Sequence, residues 1–331
     1  MQRISQIWNQ QEATRTEFEY LMQRYSGETG AELFVAYHVP VKKYCLILQG
    51  RHLQEVNIRQ FAELQEIKVC LARTSDDRDK MLVVIELRDS SNREIFSVLC
   101  ADLIHSVPDS RDEKCVTDHI FRRLKTWKSI FESGMKGVLS AEQQTGLYGE
   151  LYVLRQLLQW HENKVNVVLS WTGPNRDARD FQYRNWGIEV KTTVKSDTDL
   201  VQISSKKQLD VRLTGELYLY RIALERLNQT GESLPEIVRE IAELLEDDVV
   251  AYDHFRYCLY QAGYSFTDGE EYGRYGYRLR GCDLYGVCGE FPRIGEPDLP
   301  QGVEEISYVI NLAGCREYKV NEESVLKNLT I

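Results

Sequence analysis

No CxxC pair occurs among the eight cysteines, and the six histidines show no ligand spacing. That pattern removes zinc-finger frameworks and, with most cysteines set in apolar runs, reads as reduced core thiols rather than disulfides. Nor does any run approach the roughly 18 consecutive apolar residues of a membrane span. The opening MQRISQIWNQQEATR is too polar for a signal-peptide core, so a cytoplasmic location with no membrane partner is expected. An excess of basic charge is also missing. With 41 Lys and Arg against 51 Asp and Glu, the net charge is −10, and any contact with nucleic acid must come from a local site. Internal repeats and low-complexity tracts are absent too. What is there is ordinary globular material: 331 residues, 43% hydrophobic and 28% charged, enough for about two domains of on the order of 150 residues.

The chain divides near residue 135. Phe18, Leu21, Met22 and Tyr25 have the spacing of an amphipathic helix face. Strand-like runs follow at 32–39, 44–49, 66–72, 81–87 and 94–103, separated by polar turns. A helix then carries Ile120, Leu124, Trp127 and Phe131 on one face and ends at the glycines of 134–137. Residues 1–135 therefore read as an N-terminal α/β domain. Residues 136–331 open with a helix capped by Ser140 and Gln143, followed by strand-like stretches at 165–171, 180–184, 187–194 and 200–204. A helix begins at Ser233 and Glu236, another spans 251–264, and strands near 275–288 and 305–312 form a C-terminal β extension.

The informative stretch runs from Asp180 to Thr193. DFQYR and IEVKTTV flank Asn185-Trp186-Gly187, where glycine supplies a turn, and together they predict an antiparallel hairpin. Alternation along the second strand turns Ile188 and Val190 one way and Glu189, Lys191 and Thr193 the other. Asp180 on the partner strand would bring a second carboxylate to that charged face. Two carboxylates and an ammonium can hold Mg²⁺ and position a water against a phosphodiester. On the preceding helix Glu150 falls within the arc of Leu154 and Leu157. A carboxylate there is costly unless paired or bound to metal, although it can also snorkel to solvent. Acidic-x-Lys triplets are cheap, and the chain holds five: at 66–68, 112–114, 162–164, 189–191 and 317–319. Only the one at 189–191 has a hairpin, a partner aspartate and an upstream helical glutamate. The bland alternative is a surface ion-pair network on a hairpin.

Asp180, Glu189 and Lys191 resemble the PD-(D/E)XK signature of the restriction-endonuclease-like superfamily, and Glu150 in GLYGEL resembles the acidic residue many members carry on the helix before it. Over roughly residues 139–210, GLYGELYVL, WTGP, DF, IEVKTT and ISSKKQL are similar to a PD-(D/E)XK family found beside bacterial restriction and phage-defence genes. The resemblance implies a restriction-endonuclease-like mixed sheet flanked by helices, and Mg²⁺- or Mn²⁺-dependent endonuclease activity on DNA. Asp180, Glu189, Glu150 and the Val190 carbonyl would hold the metal, and Lys191 would orient the attacking water. It implies as partners an ATPase and a DNA methyltransferase of a restriction-like complex, with the N-terminal domain serving recognition or docking. One departure is that Arg179, not proline, precedes Asp180, which leaves Asp177 as a rival first ligand.

Arg176, Arg179, Arg184, Lys195, Lys206 and Lys207 offer a basic rim for a phosphate backbone, or a solvated face with nearby aspartates as counter-ions. Ser205 and Gln208 fall where the resemblance implies polar residues supporting the cleft. Arg278 and Arg280 alternate with Tyr275, Tyr277 and Leu279, as a charged edge strand or a DNA-facing one. Cutting both strands with one site per chain would favour a homodimer. Two other readings stay open: an inactive DNA-binding or assembly subunit that keeps the fold, and a protein-binding module whose acidic surface docks a basic partner.

Overall fold

The computed structural model describes residues 2–25, 32–51, 53, 57–61, 64–73, 79–110, 112–134, 137–175, 177–195 and 199–331. They form two compact units, 1–135 and 136–331. Among the described residues, no helix is long and apolar enough to cross a membrane.

In the first unit α1 (Ile4–Ala13) leads into β1 (Tyr20–Arg24), β2 (Glu32–His38), β3 (Lys43–Gly50), β4 (Ile67–Arg73) and β5 (Met81–Leu87), then α2 (Arg93–His105) and α3 (Glu113–Gly134). The strands form one antiparallel sheet in the order β1-β2-β3-β5-β4. Trp8 of α1 stacks on Phe96 of α2 at 5.5 Å, and its indole N–H donates to the Ala36 carbonyl of β2. Two expectations are corrected here. The helix expected over 18–25 is the edge strand β1, paired with β2 from Tyr20↔His38 onward, because pairing with a long apolar neighbour outweighs a three-residue spacing match. The strand expected at 94–103 is α2. That helix is buried from Phe96 to Ile104, so it carries no polar face to betray its period.

The second unit runs α4 (Ala141–Trp160), α5 (Lys164–Ser170), β6 (Phe181–Tyr183), β7 (Trp186–Thr193), β8 (Leu200–Ile203), β9 (Glu216–Asn228), β10 (Glu232–Ser233), α6 (Leu234–Leu244), α7 (Val249–Gln261), α8 (Gly269–Tyr272), β11 (Tyr275–Gly286), β12 (Tyr308–Asn311), β13 (Lys319–Val320) and α9 (Glu322–Asn328). Its main sheet has the order β10-β11-β9-β7-β6, with β13 also on β11, while β8 and β12 form a separate ribbon. β7 and β9 are parallel and the other pairs antiparallel. This is the mixed, helix-flanked α/β sheet expected. The capping boxes at Ser140/Gln143 and Ser233/Glu236 both form.

Residues 165–171 are not a strand: Asn163 caps α5, its side chain accepting from the Asn166 amide. The central strand β9 was not anticipated at all. Helix α4 buries Leu147, Leu151, Leu154 and Leu158 and meets the sheet at Gly149, where a Cβ would fall 2.0 Å from Thr192 Oγ1. That approach seats the helix directly on β7 and delivers the next residue, Glu150, to the sheet's edge.

Candidate active site

The hairpin pairs Phe181↔Ile188, Gln182↔Gly187 and Tyr183↔Trp186. Its turn is Arg184-Asn185, and Arg184 takes the left-handed conformation with φ 49°. Gly187, expected in the turn, lies inside β7. The physical reason for a glycine there is a close approach from below: a Cβ at 187 would sit 2.8 Å from Arg179 Cδ.

β6 is short, and among the described residues no strand continues beside β7 beyond Phe181. The next amide on that side, Val190 N–H, is instead taken by the Asp180 carboxylate at 2.7 Å. The Asp180 carbonyl accepts from the amides of Thr172 and Gly173, both at 2.9 Å, which fixes the residue at the hairpin's mouth. Glu150 reaches the same place from α4. Its Oε2 accepts from the Trp171 indole at 2.7 Å. Gly173 lies between the two acids, since a Cβ there would be 2.8 Å from Glu150 Oε2 and 3.2 Å from Asp180 Oδ1. Glu189 is 1% exposed, and its Oε1 binds Lys191 Nζ at 2.8 Å. Its Oε2 has no hydrogen-bond partner among the described residues. Asp177, the rival ligand, is exposed outside this group.

Protein atoms crowd all three carboxylates, and burial dominates their titration. Desolvation pushes Asp180 up to about 6, against the opposing pull of the Val190 amide and of Lys191. Desolvation and then the Asp180 charge raise Glu189 to about 8, although Lys191 and Arg179 pull it down. Glu150 lies well above the usual carboxylate range, through desolvation first and then the charges of Asp180 and Glu189. The Asp180 charge reaches both glutamates and the Glu189 charge reaches Glu150, so the three acids occupy one electrostatic site.

They do not yet form a ligand cage. Among the described residues, no three His, Cys, Asp or Glu side chains stand close enough to hold one ion. Glu150 and Asp180 meet at Gly173, whereas Glu189 is engaged with Lys191. The donor chemistry nonetheless fits a hard divalent cation: carboxylate oxygens, buried excess negative charge, and one carboxylate oxygen without a partner.

Beside Lys191 opens a cleft of about 790 Å³, lined by Val190–Lys195, the start of α4, β8, Arg226 and Val309. Lys195 is exposed at its edge, and its carbonyl accepts from Arg280 at 2.6 Å. Arg280 is the extra residue of a bulge, since Leu279 pairs with Leu224 and Gly281 with Ala223. The bulge re-aims that side chain across the sheet. Arg226 sits over the Tyr275 ring at 4.7 Å.

The expected rim is only partly realised. Arg184 is exposed at the hairpin tip and Lys207 on the turn after β8, while Lys206 pairs with Glu296 at 3.6 Å. Arg179 is corrected: it is 1% exposed and cannot meet a substrate. Arg176 lies outside the described residues. Ser205 and Gln208 shape their own turn, the first accepting from Lys207 N at 3.2 Å and the second from Ser204 N at 2.8 Å. Sequence reasoning missed Trp171 and Gly173. The WTG of WTGP was the available signal, but nothing in its spacing says that an indole and a bare backbone will contact a glutamate 21 residues earlier.

Searches of curated proteins and of solved structures give no match. A family model described as "Putative PD-(D/E)XK family member, (DUF4420)" matches residues 4–313, a span that reaches into both compact units and includes every acid of the site. The chain belongs to this PD-(D/E)XK family.

Proposed function

We propose that the protein is a Mg²⁺- or Mn²⁺-dependent endonuclease that hydrolyses DNA phosphodiester bonds within a bacterial restriction or phage-defence system, alongside an ATPase and a DNA methyltransferase. The observation that carries this reading is the grouping of Glu150, Asp180 and Glu189 with Lys191 at the mouth of one hairpin. Asp180, Glu189, Glu150 and the Val190 carbonyl are the residues that would hold the ion, which when bound polarises a phosphoryl oxygen and acidifies a water. Lys191 holds a water in line and places a cation where charge grows on the phosphate. Lys195 and Arg226 at the adjoining cleft supply sequence-independent contacts to the backbone. The N-terminal unit serves recognition or partner docking, and a homodimer brings two sites to the two strands.

Incubating the purified chain with supercoiled plasmid and Mg²⁺ or Mn²⁺ tests the proposal. Nicking that disappears in Asp180→Ala and Lys191→Ala is expected. If wild type and Lys191→Ala bind DNA equally and neither cuts, the chain is a non-catalytic subunit that keeps the fold.

A further inference from the structure

β8 and β12 pair antiparallel from Tyr308↔Ile203 to Asn311↔Leu200, so alternation gives their ribbon two faces. Val201, Ile203 and Ile310 point inward into one buried apolar cluster, on which Tyr308 also packs. An outer face turned to water should then be polar. It is not. Leu200 and Val309, diagonal neighbours across the pair, are each 54% exposed, and both line the cleft beside Lys191. Val194, just past β7, adds a third exposed apolar side chain to that cleft. Between the strands Gln202 donates its side-chain N–H to Ser307 Oγ, which ties the outer face together. Single apolar residues on a surface are ordinary, but several in one concave wall mark a binding site.

The charge of the cleft indicates what meets that wall. Among the described residues that line it, Lys191, Lys195 and Arg226 face a single acid, Glu142, in a chain whose net charge is −10. The cations suit phosphates, yet phosphates offer nothing to a leucine or a valine. Nucleobases supply the matching chemistry, because thymine methyls and base faces are apolar and a two-stranded ribbon has the width of a duplex groove.

We propose that the outer face of the β8–β12 ribbon is the base-contacting wall of the cleft, with Leu200 and Val309 entering a groove of duplex DNA while Lys195 and Arg226 hold its phosphates. Base contact then lies within the unit that carries the acids. The proposal rests on the nuclease reading for the choice of DNA over a protein partner.

Fluorescence anisotropy of the full chain on a labelled duplex, without divalent ion and across a salt series, tests it. Leu200→Thr/Val309→Thr removes the apolar wall and keeps strand propensity at both positions. Its Kd is expected to rise about tenfold with the slope of log Kd against log salt unchanged, since no cation is lost. An equal Kd overturns the proposal, and so does a loss that comes with a reduced slope. Should the urea midpoint of the double variant fall, Val309→Thr alone is read in the same way, with a rise of about threefold expected. A wild type that binds no duplex at low salt also overturns the proposal and assigns the wall to a protein partner. Plasmid nicking is scored separately. A chain that binds through this wall without cutting refutes the nuclease reading alone, whereas one that cuts while the double variant binds normally refutes the ribbon alone.

Discussion

The Asp180 carboxylate takes the place of a strand's next acceptor: standing one residue before β6 begins, its Oδ2 accepts the Val190 amide at 2.7 Å. An acid so placed is held by backbone at both ends, because its own carbonyl serves Thr172 and Gly173. Asp180→Asn keeps the shape and an acceptor oxygen but loses the charge. We expect it to fold with little change in midpoint while divalent binding, followed by calorimetry, is lost. Binding equal to wild type would move the metal site elsewhere.

Gly173 is the contact point of Glu150 and Asp180. A methyl there meets Glu150 Oε2 at 2.8 Å, and that oxygen is already held by Trp171. Gly173→Ala should therefore lower nicking by about 10²-fold by displacing the acids, with circular dichroism unchanged.

Two glycines of α4 make a controlled pair. At Gly149 a Cβ would overlap Thr192 Oγ1, whereas at Gly146 nothing lies within 4 Å. Gly149→Ala should cost about 1–3 kcal/mol through overpacking. Gly146→Ala should gain about 0.5–1 kcal/mol by relieving a helical glycine. Denaturant midpoints of the two variants check both signs.

The raised acids make stability depend on pH in a particular direction. Asp180 rises from 3.8 to about 6 and Glu189 from 4.5 to about 8. In both cases the folded state holds its proton more tightly than the unfolded chain. Their contribution is complete below about pH 4 and is lost as pH climbs through about 6 and then about 8. Each titrating group adds a downward slope of about 1.4 kcal/mol per pH unit. Without divalent ion, stability should decline from pH 4.5 to 8, and Glu189→Gln should flatten the upper part of the curve. Urea titrations across that range provide the check.

Lys195 is exposed at the edge of the cleft and Lys207 on the turn after β8. If they meet DNA phosphates, Lys195→Ala and Lys207→Ala should each reduce the slope of log Kd against log salt by about 0.9, without altering the cleavage rate of bound DNA. Fluorescence anisotropy across a salt series measures that slope.

Much of the second unit was legible in the chain, because its signals are local. The capping boxes at Ser140 and Ser233 and the hairpin turning at residues 184–185 depend on residues a few positions apart. Asp180, Glu189 and Lys191 follow from that hairpin. β9 was invisible because ELYLYRIALERLN, apolar on both faces in its middle, has no clean period in a strand covered from both sides. Arg179 read as a rim cation because a sequence records charge without depth. Only the tertiary structure shows the space at Gly187 that receives it.

By itself, then, the order of residues determined which acids and which lysine share a hairpin, since alternation and turn chemistry act over a few bonds. Packing decided the rest. Contact between α4 and β7 at Gly149 set the depth of Glu150, and the short β6 left the Val190 amide to Asp180. Burial raised the titration of all three carboxylates, because desolvation depends on what surrounds a charge, and those surroundings come from distant parts of the chain.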